Sequence, residues 1–125
     1  MKKNYKIQGN AGIGAAIAYF SKLGNIVSIP LTDSQEYDLI ADDHIRLNRI
    51  QVKTTWSITK YGIYKCALRT CGGNKSGYTC KKFNNKNCEF LFILCGNNDE
   101  YVIPSCDITT TSFICLGEKY LKYKI

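Results

Sequence analysis

Two short stretches, Tyr37-Asp38-Leu39-Ile40 and Arg49-Ile50-Gln51-Val52-Lys53-Thr54, set the strongest constraint on the fold. Each alternates apolar with polar residues, the period-two pattern of a half-buried strand. Asp42, Asp43 and His44 lie between them and supply turn chemistry, so the pair is expected to form an antiparallel hairpin. Side chains two apart in a strand share a face. Gln51 and Lys53 therefore point one way, and Ile50 and Val52 point into the opposite layer. With the turn near Asp43, Asp38 falls across from Arg49 or Gln51. A carboxylate, an amide and an ammonium then converge beside a strand edge, an arrangement able to hold a divalent metal and a phosphate.

The flanking sequence supplies the other parts of an α/β arrangement. Asn10 to Leu23 reads as a helix, with Ile13, Ile17, Phe20 and Leu23 (or Ala16) on one face and Gly24 as terminator. Gly12, Gly14, Ala15, Ala16 and Ala18 keep it slim enough for close packing on a sheet. Ile26 to Leu31 reads as the first strand, and Gly62 to Arg69 as a strand after the hairpin. Thr70 to Asn87 is dominated by Gly, Asn, Lys and Ser, which predicts a long loop or a loosely formed helix; connections of that length are commonly functional or disordered. Phe90 to Cys95 reads as a buried strand pairing with Tyr101 to Ile103 across Gly96-Asn97-Asn98-Asp99. Thr111 to Ile125 reads as a strand and a basic, Tyr-containing tail. No repeat or linker interrupts the pattern, and residues 1–125 are expected to form a single domain with one modest core.

The net charge is +7, and its distribution says more than its size. Between His44 and Cys88 there is no acidic residue, while Arg46, Arg49, Lys53, Lys60, Lys65, Arg69, Lys75, Lys81, Lys82 and Lys86 all fall there. Such a span predicts a positive face for a phosphate-bearing partner, with a merely solvated basic face as the simpler alternative. None of the seven cysteines stands in a C-x2-C pair, and an odd number leaves at least one unpaired. Cys66, Cys95 and Cys115 sit in strand-like runs, where free Cys behaves as a small buried hydrophobe. A zinc set of Cys66, Cys71, Cys80 and Cys88 lacks the usual ligand knuckles. The chain reads as a reduced, intracellular protein, cytoplasmic or nucleoid-associated.

Other readings find little support. Lys2-Lys3 and the apolar run Ala11 to Phe20 imitate a signal peptide, but no clear small-x-small cleavage site follows. No segment approaches the ~20 apolar residues that span a bilayer. His44, the sole histidine, lies at a turn and offers no scaffold for a Ser-His-Asp or Cys-His centre. Gly9-x-x-Gly12-x-Gly14 opens a helix without the Lys-Ser/Thr of a phosphate loop, and reads as helix packing.

Asp38 with Gln51-Val52-Lys53 resembles the D…(D/E)-X-K core of the PD-(D/E)XK nucleases, with Gln in the acidic slot. The D-x12-QVK spacing is similar to that of the small homing endonucleases associated with group I introns. The likeness continues through Leu23-Gly24, Ser28-Ile29-Pro30-Leu31-Thr32-Asp33, Leu68-Arg69-Thr70 with Gly72-Gly73-Asn74, Ile103-Pro104 and Leu116-Gly117-Glu118-Lys119-Tyr120, nearly the whole chain. It implies a PD-(D/E)XK-type α/β core, a central mixed β-sheet flanked by helices. The implied activity is metal-dependent, site-specific cleavage of double-stranded DNA.

The resemblance also implies roles. Asp38 would bind Mg²⁺ (or Mn²⁺), the backbone carbonyl of Val52 would add a second oxygen, Lys53 would orient the attacking water, and Gln51 would support the metal or its water. Many relatives carry a Glu early in the first helix, at a position that Ile13 matches here. Glu36, on the face of Asp38, is then the candidate second carboxylate, and Gln8 or Asn10 the candidate holder of a metal-bound water. Arg46, Arg49, Lys60, Lys65 and Arg69 would lie along the DNA with Lys81 and Lys82, and Asn74, Lys75 and Ser76 would reach base edges. Cutting both strands needs two active centres, so a homo-oligomer, dimer or tetramer, is expected. Two other functions remain open on the same residues. One is a DNA-binding protein on this fold that does not cut. The other is an RNA-binding or RNA-processing module that stacks bases on Tyr61, Tyr64, Tyr78 and Phe83.

Overall fold

The computed structural model describes residues 4–74 and 77–125. Helix α1 (Tyr5–Lys22) leads into strands β1 (Ile26–Ser28), β2 (Leu39–Asp42) and β3 (Leu47–Thr55). After β4 (Lys65–Ala67) come β5 (Thr70–Asn74) and β6 (Gly77–Lys81), then β7 (Phe90–Cys95), β8 (Glu100–Pro104) and β9 (Phe113–Cys115). The central sheet is mixed, in the order β1-β2-β3-β7-β8, with β3 and β7 parallel and the other neighbours antiparallel. A β4–β9 pair and a β5–β6 ribbon form two smaller sheets.

The sequence Phe90-Leu91-Phe92-Ile93-Leu94-Cys95 explains why β7 sits inside. A strand covered on both faces can be apolar at every position. Leu91, Ile93 and Cys95 join one apolar cluster with Cys66, Leu68, Ile103 and Ile114, beneath the β4–β9 pair. Phe92 and Leu94 join the other, with Ile50, Leu39, Ala16 and Phe20, beneath α1. The strand is thus the partition between two cores.

Helix α1 begins earlier than the apolar pattern predicts. Its N-cap is Asn4, whose Oδ1 accepts from the N–H groups of Lys6 and Ile7 at 3.1 and 3.2 Å, satisfying donors that have no partner within the helix. Gly12, Ala16 and Phe20 form the buried stripe, with Ile13 and Ile17 partly covered beside it. Leu23 lies outside that stripe and is 60% exposed. Gly12 is where the helix meets β3 most closely: a Cβ there would stand 2.4 Å from Thr54 Cγ2 and 3.2 Å from Val52 Cγ1. Gly24, at φ 85°, ends the helix as expected.

The largest correction concerns Thr70 to Asn87. Its first part is a β-ribbon, with Thr70 opposite Lys81 and Asn74 opposite Gly77. That register sets Cys71 against Cys80, and the two form a disulfide. The reading of a fully reduced chain is therefore overturned, and the zinc set dissolves with it. Cys66 and Cys88 are buried elsewhere. Cys115 lies on the outer side of β9 and is exposed, contrary to expectation. The expected strands at Ile26 to Leu31 and Gly62 to Arg69 shrink to three residues each. Beyond β9, the basic tail closes as a 3-10 helix, Glu118–Tyr123, and Tyr101 of β8 bridges to Lys124. No described helix is long and apolar enough to cross a membrane.

Candidate active site

The hairpin register decides what meets what. Leu39 pairs with Ile50 and Ile40 with Arg49, so Asp38 stands one step before β2, level with Gln51. Its N–H donates to the Ile50 carbonyl at 2.8 Å. Its carboxylate then takes the place of the next backbone acceptor: Oδ2 receives the Val52 N–H at 2.7 Å. In a strand the N–H and C=O of one residue point to the same side. The Val52 carbonyl therefore faces the edge where Asp38 sits.

Ile50 and Val52 pack toward α1. Gln51 and Lys53, at the alternate positions, belong to the opposite face. Lys53 Nζ donates to Thr70 Oγ1 at 3.3 Å, at the foot of the ribbon. Glu36 lies on the other side, with Oε1 3.4 Å from Lys81 Nζ. Together these residues line a recess of about 420 Å³, walled also by Gln35, Thr79 and the segment from Asp33. Burial pushes the Asp38 carboxyl above its ordinary value of 3.8, against the lowering pull of the Val52 N–H and the Lys53 ammonium.

Among the described residues, no three His, Cys, Asp or Glu side chains converge. A cation here would rest on the Asp38 carboxylate, the Val52 carbonyl and the Gln51 amide oxygen, with Glu36 as a further carboxylate if it left Lys81. All are hard oxygens, a donor set that fits Mg²⁺ or Mn²⁺. Gln35 Oε1 also lies in a residue of this wall, and it is the one buried side-chain acceptor found without a hydrogen-bond partner among the described residues. Such groups are rare in native interiors and mark places where a donor, water or ion is expected.

Several expected site residues lie elsewhere. Ile13 packs into the cluster beneath α1, and neither it nor Asn10 lines the recess. Gln8 borders a separate groove with Tyr5, Trp56, Lys65 and Phe113. Arg49 has a partner within the chain. Its guanidinium holds the Glu89 carboxylate, with Nη2 2.9 Å from Oε1, and the Arg49 N–H donates to Oε2 at 2.6 Å. The acid-free span thus meets its counter-charge just past its end, in space as well as in sequence. The same pairing raises the Arg49 pKa and lowers that of Glu89.

The other described basic residues have separate local partners. Arg46 and Lys86 share a groove with Arg49, at the turn end of the hairpin. Lys60 lies over the Tyr61 ring and Lys65 over the Phe113 ring. Arg69 donates to Ser112, and Lys82 lines a further groove with Phe83. Among the described basic residues, Lys53 and Lys81 reach the recess. Asn74 belongs to β5, and Lys75 and Ser76 fall outside the described residues. Of the proposed stacking aromatics, Phe83 is buried and Tyr61 is 77% exposed.

Sequence reasoning missed Thr70, Gln35 and Glu89. The spacing of Cys71 and Cys80 about Gly72-Gly73-Asn74 and Gly77 was a usable sign of the ribbon, and hence of Thr70 at its foot. Nothing comparable marked Gln35.

The profile of the PD-(D/E)XK endonuclease family matches residues 3–121. No curated protein matches the chain. Among solved structures, the bacterial homing endonuclease I-Ssp6803I is similar at a TM-score of 0.82 and 26% identity, over 98% of this chain and 89% of that one. A mixed sheet that sets Asp38 against Gln51-Val52-Lys53, in a chain matched almost end to end, makes this protein a member of the PD-(D/E)XK endonuclease family.

Proposed function

We propose that the protein is a metal-dependent, site-specific endonuclease of double-stranded DNA, acting at the Asp38 recess. The observation that carries this reading is the clustering of Asp38, Gln51, Val52 and Lys53 around one strand edge, with Lys81 nearby. When bound, Mg²⁺ or Mn²⁺ would polarise a phosphoryl oxygen and acidify a water. Asp38 and the Val52 carbonyl would hold that ion, and Gln51 would support its water. The Lys53 ammonium orients the attacking water and offsets charge that develops on the phosphate. Lys81 and Lys82 grip phosphates beside the recess, while Asn74, Lys75 and Ser76 belong to the part of the chain that reads base edges. A two-stranded ribbon is of a width that a DNA major groove admits.

Double-strand cleavage requires two such centres, so the active form is a homo-oligomer, dimer or tetramer. The test is incubation with mixed double-stranded DNA and Mg²⁺, comparing the wild type with Lys53→Ala. Discrete products from the wild type and none from the variant support the reading. Equal products from both would place the chemistry elsewhere. Tight duplex binding without any cutting would favour the non-cutting alternative, for which the apolar Ile13 in α1 is the specific motive.

A further inference from the structure

Thr70, Cys71, Thr79, Cys80 and Lys81 of the β5–β6 ribbon belong to neither apolar cluster. Its foot nevertheless touches the recess twice. Thr70 and Lys81 face each other as the first pair of the ribbon. Thr70 accepts from Lys53 at 3.3 Å, and Lys81 lies 3.4 Å from Glu36. The very next pair is Cys71 and Cys80, covalently joined.

We propose that Thr70 is a positioning residue for Lys53, held in place by the Cys71–Cys80 disulfide, so that reducing this bond lowers the rate of DNA cleavage. The proposal rests on the nuclease reading above. A lysine ammonium is a point charge on a flexible four-carbon stem, and needs a fixed acceptor to stay at one place. The acceptor here sits on a two-stranded ribbon, a structure marginally stable in water when unsupported. Gly72 and Gly73 weaken it further, since they bring no side chain to pack. The disulfide directly above the foot limits how far Thr70 can drift from Lys81.

Both sulfurs belong to exposed residues, open to a small reductant. A dithiol would break the S–S bond, deliver two electrons and two protons to the paired sulfurs, and itself become a disulfide. Cys66, Cys88 and Cys95 are buried and stand apart from this exchange.

The test uses the full chain, oxidised, on a duplex that it cuts. Thr70→Val should lower kcat by about tenfold, the value of one hydrogen bond, with KM for DNA little changed. Thr70→Ser, which keeps the hydroxyl, should recover most of the loss. Dithiol treatment of the wild type should lower kcat and speed amide exchange in residues 70–74 and 77–81, without lowering the protection of β3 and β7. The double variant Cys71→Ser/Cys80→Ser should behave like the reduced wild type and ignore dithiol. An active wild type whose kcat is unmoved by dithiol, while its thiol count rises by two, would overturn the proposal. So would a folded Thr70→Val variant with wild-type kcat. A wild type that neither binds nor cuts any duplex fails the nuclease reading itself, a result readily told apart from these.

Discussion

The carboxylate of Asp38 completes the ladder that β2 leaves unfinished, accepting the Val52 N–H at 2.7 Å. One side chain thus does two things: it satisfies the edge of β3 and brings a negative charge to the point where the Val52 carbonyl emerges. Asp38 is exposed at the mouth of the recess, yet partial desolvation of its carboxylate still raises its pKa.

That shift has a measurable sign. Because the folded-state pKa of Asp38 is raised, the native state binds this proton more tightly than the unfolded chain does. Its contribution to stability therefore falls as pH rises from the ordinary carboxylate value of 3.8 through the raised value. In the absence of metal, Asp38→Asn should raise the melting temperature at neutral pH, and the gain should shrink as pH falls toward the ordinary value. Melts with and without Mg²⁺ check it, since an ion that binds the folded wild type restores its stability by linkage.

Gly12 is required by the approach of α1 to β3. In Gly12→Ala the new methyl would meet Thr54 Cγ2 at 2.4 Å, and the helix or the strand must yield. We expect a loss of about 1–3 kcal/mol, the usual cost of overpacking, seen as a lower midpoint in urea. Unchanged stability would mean that Thr54 or the helix gives way at little cost.

How much of this was legible in the sequence follows from the range of each interaction. The β2–β3 hairpin and the faces of Gln51, Lys53, Ile50 and Val52 depend on alternation and a local turn, and both were readable. The parallel pairing of β3 with β7 joins Gln51 to Leu91, across a crossover that no local pattern announces. The ribbon was hidden because Gly72-Gly73-Asn74 has loop composition, and only its pairing with Gly77 to Lys81 makes it a strand. Arg49 looked free for DNA because its partner, Glu89, lies 40 residues away.

The Arg49–Glu89 pair should act as part of the scaffold. Glu89→Gln weakens a half-exposed pair and a charge-assisted bond to the Arg49 N–H, and we expect about 1 kcal/mol of lost stability at neutral pH. Glu89 has a lowered folded-state pKa, so its contribution is present above the ordinary value of 4.5 and is lost as pH falls through the lowered one. Denaturation of both proteins across the acid range checks it: the difference between them should close at low pH.

On the proposed function, DNA binding should depend steeply on salt, since Lys53, Lys81, Lys82 and their basic neighbours would release counterions from the phosphates they neutralise. We expect log affinity against log salt concentration to fall with a slope steeper than about −2. A shallower slope would argue against a basic docking surface in the span from His44 to Cys88.

The most direct measurement is the cleavage and binding of one duplex by Asp38→Asn. The variant keeps an acceptor for the Val52 N–H and leaves every basic residue in place, while removing the charge on which a cation would rest. Mg²⁺-dependent cleavage should be abolished and DNA affinity should stay within a few fold of wild type. Near wild-type cutting by this variant would contradict the account, because the hairpin would then be scaffold and the active centre would lie elsewhere.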